Sequence, residues 1–189
     1  MATFGRMTEE ELVKGCQRGD NTARKTLYEC FGGRMLGLCI RYVGSREQAE
    51  DLLHDGFLKI FKSIEKFRWR GDGSLLAWIY RLFVNESLDY VRKAKLFPTE
   101  DTLEQDNILD EYPEESSIPD LTTDELLRLI SELPIGFRTV LNLYLFEDKS
   151  HKEIGELLHI TDRTSASQYC RAKVLLKKKI DEYLKCKRQ

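Results

Sequence analysis

The sequence predicts an all-α protein: two small helical domains joined by an acidic flexible linker, the C-terminal domain a helix-turn-helix. Three observations predict it. Apolar residues recur at three- and four-residue spacing through both ends of the chain, the stripe of amphipathic helices. Capping-box patterns precede several stripes, at Thr8 with Glu11, Ser45 with Gln48 and Ser150 with Glu153, each able to satisfy free amides of a first turn. Between the ends, residues 96–120 hold three prolines and no Lys or Arg, a composition that buries too little apolar surface to offset its ordering entropy. The divisions expected are a first domain over 7–95, a linker over 96–120 and a second domain over 121–189.

In order, residues 1–6 are expected to be disordered. A helix starts after Thr8 with Leu12, Val13 and Cys16 on its apolar side. Asn21 or Thr22 begins another, carrying Leu27, Phe31, Met35, Leu38 and Tyr42 and weakened midway by Gly32-Gly33. From Glu47 a third helix places Ala49, Leu52, Leu53, Phe57, Ile60, Phe61 and Ile64 on one face. A fourth repeats the period at Leu75, Trp78, Ile79, Leu82, Phe83 and Leu88, with Ser74 where an N-cap would stand. The loop Arg68-Trp69-Arg70-Gly71-Asp72-Gly73 joins these two.

The second domain opens with a helix capped by Thr122 or Thr123 and ended by Pro134, then one through Phe137, Val140, Leu141 and Tyr144. Ser150 to Glu153 open a short helix. A turn at His159-Ile160 follows, and Thr161 is placed to cap the last helix, a helix-turn-helix pattern. On that last helix Ser165, Tyr169, Ala172 and Leu176 are expected to pack inward, while Thr164, Ser167, Gln168 and Arg171, flanked by Arg163 and Lys173, face out. Such side chains suit base edges and phosphates in a major groove, although an ordinary surface helix has a similar composition.

No run of eighteen apolar residues is present for a membrane span, and a basic-then-apolar leader is absent, so a cytoplasmic protein is expected. Five cysteines, Cys16, Cys30, Cys39, Cys170 and Cys186, form no C-x-x-C pair and are expected to be reduced, mainly packing thiols. The net charge of -2 conceals an asymmetry: residues 1–95 carry 17 Lys+Arg against 13 Asp+Glu, residues 96–120 carry none against 9, and residues 121–189 carry 13 against 10. Both ends are cationic and the middle strongly anionic. His54, His151 and His159 are scattered, and no nucleophile triad, phosphate-binding glycine loop or paired metal ligands are visible. The chain is not expected to be an enzyme, nor to carry a cofactor or metal.

The segment 68–93 crowds Arg68, Trp69, Arg70, Trp78, Tyr80, Arg81, Asn85, Arg92 and Lys93 together. Rings, guanidinium groups and an amide can hold unstacked bases and their phosphates; core aromatics beside a solvated cationic face would have the same composition. The runs AEDLLHDGFLKIFKSIEKF and GDGSLLAWIYRLFVNESLDYVRK resemble region two of bacterial RNA polymerase sigma factors, specifically the small extracytoplasmic-function group. The resemblance implies that the first run docks on core RNA polymerase, through Asp51, His54, Asp55, Phe57 and Lys59, and that the nine residues just named capture the melted minus-ten strand. Its His54-Asp55 stands where that group usually has Gln-Glu.

The run LPIGFRTVLNLYLFEDKSHKEIGELLHITDRTSASQYCRAKVLLKKKI resembles sigma region four, which implies that Arg163, Thr164, Ser167, Gln168, Arg171 and Lys173 read promoter DNA at the minus-thirty-five element. His159 stands at the usual turn glycine, and a non-glycine residue tolerates positive φ less well there. In that family the linker runs through the polymerase's RNA path, which fits the anionic middle segment; a solubilising tether fits it as well. As a loose coil its 25 residues span roughly 25–30 Å. Promoter elements two helical turns apart lie roughly 70 Å from one another, so the linker must be extended when both are engaged. An anti-sigma factor, often membrane-bound, is a further partner the resemblance implies. The alternative is a stand-alone helix-turn-helix regulator acting without polymerase, which leaves Glu47 to Lys93 without a role.

Limited proteolysis tests the division. The proline-rich acidic segment is expected to be cut first, leaving two resistant fragments that meet within 96–120; early cuts inside 47–93 would contradict it.

Overall fold

A computed structural model describes residues 3–4, 7–93 and 121–187; the expected linker lies outside them. The chain divides into two compact units, residues 1–90 and 91–189, the division falling in the last turn of the first unit's closing helix.

The first unit begins with a short antiparallel pair, β1 (Thr3–Phe4) and β2 (Met7–Thr8), with Thr3 opposite Thr8 and Phe4 opposite Met7. Residues 3 and 4 thus form a strand where disorder was expected, because Met7–Thr8 supplies a partner for their backbone. Helix α1 (Glu9–Gln17) follows, and its capping box forms: the Glu11 N–H donates to Thr8 Oγ1 (3.2 Å) and the Thr8 N–H to the Glu11 carboxylate (2.8 Å). Helix α2 (Asn21–Val43) is capped by Asp20, which accepts the Thr22 N–H at 2.8 Å, and closes on Gly44 at φ +82°. Gly32-Gly33 does not interrupt it. Ser45 accepts the Gln48 N–H at 3.5 Å to start α3 (Arg46–Ser63), which tightens into a 3₁₀ turn, Ile64–Lys66. Helix α4 (Ser74–Lys93) completes the unit.

These helices close on an aromatic core. The Phe57 ring lies 4.7 Å from Tyr28 of α2 and 5.5 Å from Phe83 of α4, centroid to centroid. Leu27, Met35, Leu38 and Tyr42 of α2, Ile60 of α3 and Ile79 of α4 are buried around it. Cys16 and Cys39 are buried too, and burial pushes their thiols up to about 11 and about 12. All five cysteines are free; Cys30, Cys170 and Cys186 are exposed, so packing accounts for two of them.

The second unit comprises α5 (Thr123–Ser131), α6 (Ile135–Leu145), α7 (His151–Leu158) and α8 (Asp162–Lys187). Thr122 and Glu125 form the capping box of α5. Around Pro134, the buried Arg138 guanidinium donates to the carbonyls of Ser131 and Leu133, satisfying the end of α5. Leu133, Leu141 and Ala172 form the core, with Phe137, Tyr169, Leu175 and Leu176 packed on it. The far end of α8 returns to α5: Tyr183 O–H (2.5 Å) and Lys187 Nζ (2.8 Å) donate to Glu125, and Lys179 pairs with Glu132 at 2.8 Å.

Lys187 first, then Tyr183 and the Thr122 amide, hold the Glu125 carboxyl down from 4.5 to about 2. A depressed carboxyl contributes stability above its unfolded value and loses it as the pH falls through the folded one. Unit-two stability is therefore expected to decline between about 4.5 and 2. Glu153, held down to about 2 by Ser150 and Lys149, titrates in the same window. Glu125→Gln should lower Tm at neutral pH and make the acid decline shallower in a circular-dichroism titration; an unchanged acid limb would remove Glu125 from the account.

Candidate nucleic-acid interfaces

Helix α4 buries Leu75, Ile79, Phe83, Leu88 and Val91, and this inward face determines what is left outside. Trp78, Arg81 and Asn85 stand at i, i+3 and i+7, hence on one outer face, with Arg92 another two turns along. Arg81, Asn85, Arg92 and Lys93 are exposed and Trp78 is half-buried. The Phe67 ring lies against Trp78 with centroids 4.8 Å apart. Arg68 and Arg70 are exposed in the adjoining loop, while Trp69 is half-buried and its Nε1 has no hydrogen-bond partner among the described residues. Gly71 and Gly73, at φ +113° and +87°, adopt the left-handed conformations that the loop's turns require.

Two expectations change here. Tyr80 does not share the outer stripe: five residues before Asn85, it turns toward α2, half-buried, and its hydroxyl accepts a hydrogen bond from Arg41 at 3.2 Å. Ser74 is not the cap of α4. Its hydroxyl accepts the Arg70 N–H at 3.2 Å, and the first turn is capped instead by Glu9 of α1, whose carboxylate accepts the N–H groups of Gly73 and Leu75, both at 2.7 Å.

On α3, Asp51, His54, Asp55 and Lys59 are exposed. Phe57 is not: at 3% exposure it belongs to the aromatic core, because it follows Leu53 by four residues on the buried stripe. Leu58 takes the place the stripe denies to Phe57. It is 45% exposed and follows Asp51, His54 and Asp55 at i+7, i+4 and i+3. Its signal was present in the sequence as an apolar residue off the core stripe. The Lys59 ammonium is paired with Glu86 of α4.

In the second unit the capping box of Ser150 and Glu153 forms. His159 occupies the left-handed region at φ +56° and closes α7 through its N–H to the Gly155 carbonyl; histidine enters that region more readily than most side chains. A Cβ at Gly155 would lie 2.7 Å from the Ile160 carbonyl oxygen, so the turn needs glycine there. Thr161 Oγ1 accepts the Thr164 N–H at 3.0 Å to cap α8. Against α8, His151 Nδ1 stands 3.0 Å from the buried Ser165 hydroxyl, and its ring stacks on Tyr144 at 4.6 Å.

Arg163 and Ser167 are exposed on α8, and Thr164, Arg171 and Lys173 are half-buried, Lys173 Nζ lying 5.0 Å from the Tyr169 ring centre. Gln168 departs from expectation. It is 1% exposed, and neither amide atom has a hydrogen-bond partner among the described residues. Three residues after Ser165 and four before Ala172, it lies on their inward face. Among the described residues no cluster of His, Cys, Asp or Glu is placed to hold a metal, and no helix is long and apolar enough to cross a membrane.

The chain matches two family models, Sigma-70 region 2 over residues 27–97 and Sigma-70, region 4 over residues 123–176. It is 30% identical over 186 residues to the ECF RNA polymerase sigma-E factor of Haemophilus influenzae, covering 92% of this chain and 96% of that one. The chain belongs to the ECF RNA polymerase sigma factors. It is also 28% identical to the RNA polymerase sigma-H factor of Pseudomonas aeruginosa, over 94% of this chain and 96% of that protein, and 26% identical to the ECF RNA polymerase sigma factor SigW of Bacillus subtilis, over 92% and 97%. As a sigma factor it directs promoter-specific transcription initiation. The stand-alone regulator is set aside, since region 2 occupies the segment that reading left without a role. Sigma factors are non-catalytic initiation factors that bind DNA.

Within this sigma factor, the buried amide of Gln168 offers a direct test of which side of α8 can meet DNA. A buried amide without a partner costs about 1–3 kcal/mol. Gln168→Met, similar in volume, is expected to raise unit-two stability by about 1 kcal/mol without weakening binding to minus-thirty-five duplex. A loss of duplex affinity with stability unchanged would place Gln168 at the DNA.

Proposed function

We propose that this ECF sigma factor captures the unstacked minus-ten strand on the outer stripe of α4 and its preceding loop, and reads closed minus-thirty-five duplex with the start of α8. The observation that carries this is the Phe67–Trp78 ring pair at 4.8 Å beside exposed Arg81 and Asn85 on one helix face. A ring face, a guanidinium and an amide together can stack, hold phosphate and pair with a base edge, contacts that need a base out of its duplex. Trp69, Arg68, Arg70, Arg92 and Lys93 extend the same surface. Tyr80 acts from behind it, through α2. Arg163, Thr164, Ser167, Arg171 and Lys173 are short polar or cationic groups, suited instead to a closed groove, where a good bidentate base contact is worth roughly 1–3 kcal/mol.

Docking on core RNA polymerase uses the outer face of α3: Asp51, His54 and Asp55 around the exposed Leu58, with Lys59 tied to Glu86 at its edge. An apolar centre rimmed by charge is the usual anatomy of a protein interface. The cytoplasm is where it works, and family membership supports control by an anti-sigma factor. The anionic run 96–120 serves as the spacer between the two DNA-reading units.

Premelted promoter DNA separates the two surfaces. Asn85→Ala is expected to impair open-complex formation on duplex promoter and to be largely rescued by a premelted bubble at minus ten. Arg171→Ala should weaken recruitment to duplex and gain much less from the bubble, since the upstream element never opens. Equal rescue of both would leave only a general electrostatic role for these groups.

A further inference from the structure

The loop between Phe67 and Gly73 is held from outside as well as from within. Inside it, the Ser74 N–H donates to the Gly71 carbonyl at 3.1 Å and the Arg70 N–H to Ser74 Oγ at 3.2 Å. Both of its ends are anchored on α1. Where α3 stops, Gln17 Nε2 donates to the carbonyls of Ile64 (3.1 Å) and Phe67 (2.8 Å). Where α4 starts, Glu9, 1% exposed, accepts the Gly73 and Leu75 N–H groups at 2.7 Å each. Glu9 and Gln17 are the first and last residues of α1, about 12 Å apart along its axis. The chain from Phe67 to Gly73 could extend to about 20 Å. The helix is therefore a strut that sets the mouth of the loop below its full reach.

We propose that Glu9 and Gln17 are positioning residues for strand capture, holding Phe67, Arg68 and Arg70 at a fixed separation from Trp78 while touching no DNA themselves. The proposal rests on assigning the loop and the α4 stripe to the minus-ten strand. A serine cap on α4 would be local and would leave the span of the loop free. A carboxylate from α1 instead makes the start of α4 and the end of α3 share one rigid reference, and an anion at a helix N-terminus is held strongly. An unstacked base has to fit between a ring and a guanidinium whose spacing is set beforehand, so the gain from the strut is preorganisation.

The test uses full-length protein assembled with core RNA polymerase, and a short single-stranded DNA oligonucleotide selected for binding to the parental holoenzyme. Gln17→Ala and Glu9→Gln are each expected to lower oligonucleotide affinity by about tenfold while assembly with core polymerase stays within about twofold. This chain's only two tryptophans, Trp69 and Trp78, both lie at this site, so in the free protein, before assembly with polymerase, their emission and quenching should change in both variants. Capture at the parental level by both variants overturns the strut. So does an equal fractional loss of assembly and capture, which would reduce α1 to support of the fold. Trp78→Ala and Asn85→Ala are run alongside: if they leave capture at the parental level, the assignment of the loop itself has failed, and the strut falls with it for that separate reason.

Discussion

The ring of Phe83 lies against the backbone of α3 at Gly56, so near that a Cβ there would stand 2.3 Å from it. That approach lets Phe83 reach Phe57, and Phe57 in turn reaches Tyr28. Three helices are thereby joined through one row of rings, and the orientation of α3 and α4 about their own axes follows. With Phe57 and Ile60 turned inward, α3 has no choice but to present Asp51, His54, Asp55 and Leu58 to solvent. With Ile79 and Phe83 inward, α4 presents Arg81 and Asn85. The surfaces assigned to polymerase and to the minus-ten strand are thus consequences of a core constraint, since a rotation that exposed different residues would drive the ring into the backbone.

The two surfaces proposed to read DNA differ in chemistry as the states of DNA assigned to them differ. A melted strand offers the faces of its bases, and stacking on aromatic rings is worth about 1–3 kcal/mol per base; Trp69, Trp78 and Phe67 are gathered only in the first unit. Closed duplex offers edges and phosphates, and the outer side of α8 near its start has Arg163, Thr164, Ser167 and Arg171 with no aromatic among them. A net charge of -2 for the whole chain is no obstacle to either, because an attraction of this kind is set by charge within about a Debye length, near 8–10 Å. The anionic run of residues 96–120 lowers the average.

Helix starts were legible where the cap is local. Thr8, Thr122 and Ser150 are each followed three residues later by a glutamate, and all three capping boxes form. The start of α4 was not legible, because its cap comes from Glu9, sixty-odd residues upstream (sequence separations 64 and 66); no local pattern carries that. Candidate site residues were legible by type more than by direction. Tyr80 and Gln168 have the right chemistry for DNA, yet helical phase turns the first toward Arg41 and the second into the Ala172 core. Phe57 and Leu58 exchange places for the same reason. Adjacent residues on a helix differ by about 100°, so a one-residue misassignment of face separates core from surface.

Helix α8 shows how far one element can divide its work along its length. It runs 26 residues, Asp162–Lys187, about 39 Å, whereas the region 4 match ends at residue 176. The part within the match packs against α7 through Ser165 and on Leu133 and Leu141 through Ala172, and its outer side is the one proposed to meet DNA. Beyond it, the cations that a sequence would suggest for phosphate are partly engaged elsewhere: Lys179 pairs with Glu132, and Lys187 with Glu125 beside Tyr183. This second half is a brace that fastens α5 to the unit. Its ion pairs are exposed polar contacts, which salt and acid weaken, and they add to the burial of Leu129 and Ile130 on α5 and to the Arg138 hydrogen bonds at its end. Loosening the brace should therefore weaken the hold on α5 before it disturbs the turn between α7 and α8, since that turn shares none of these ion pairs.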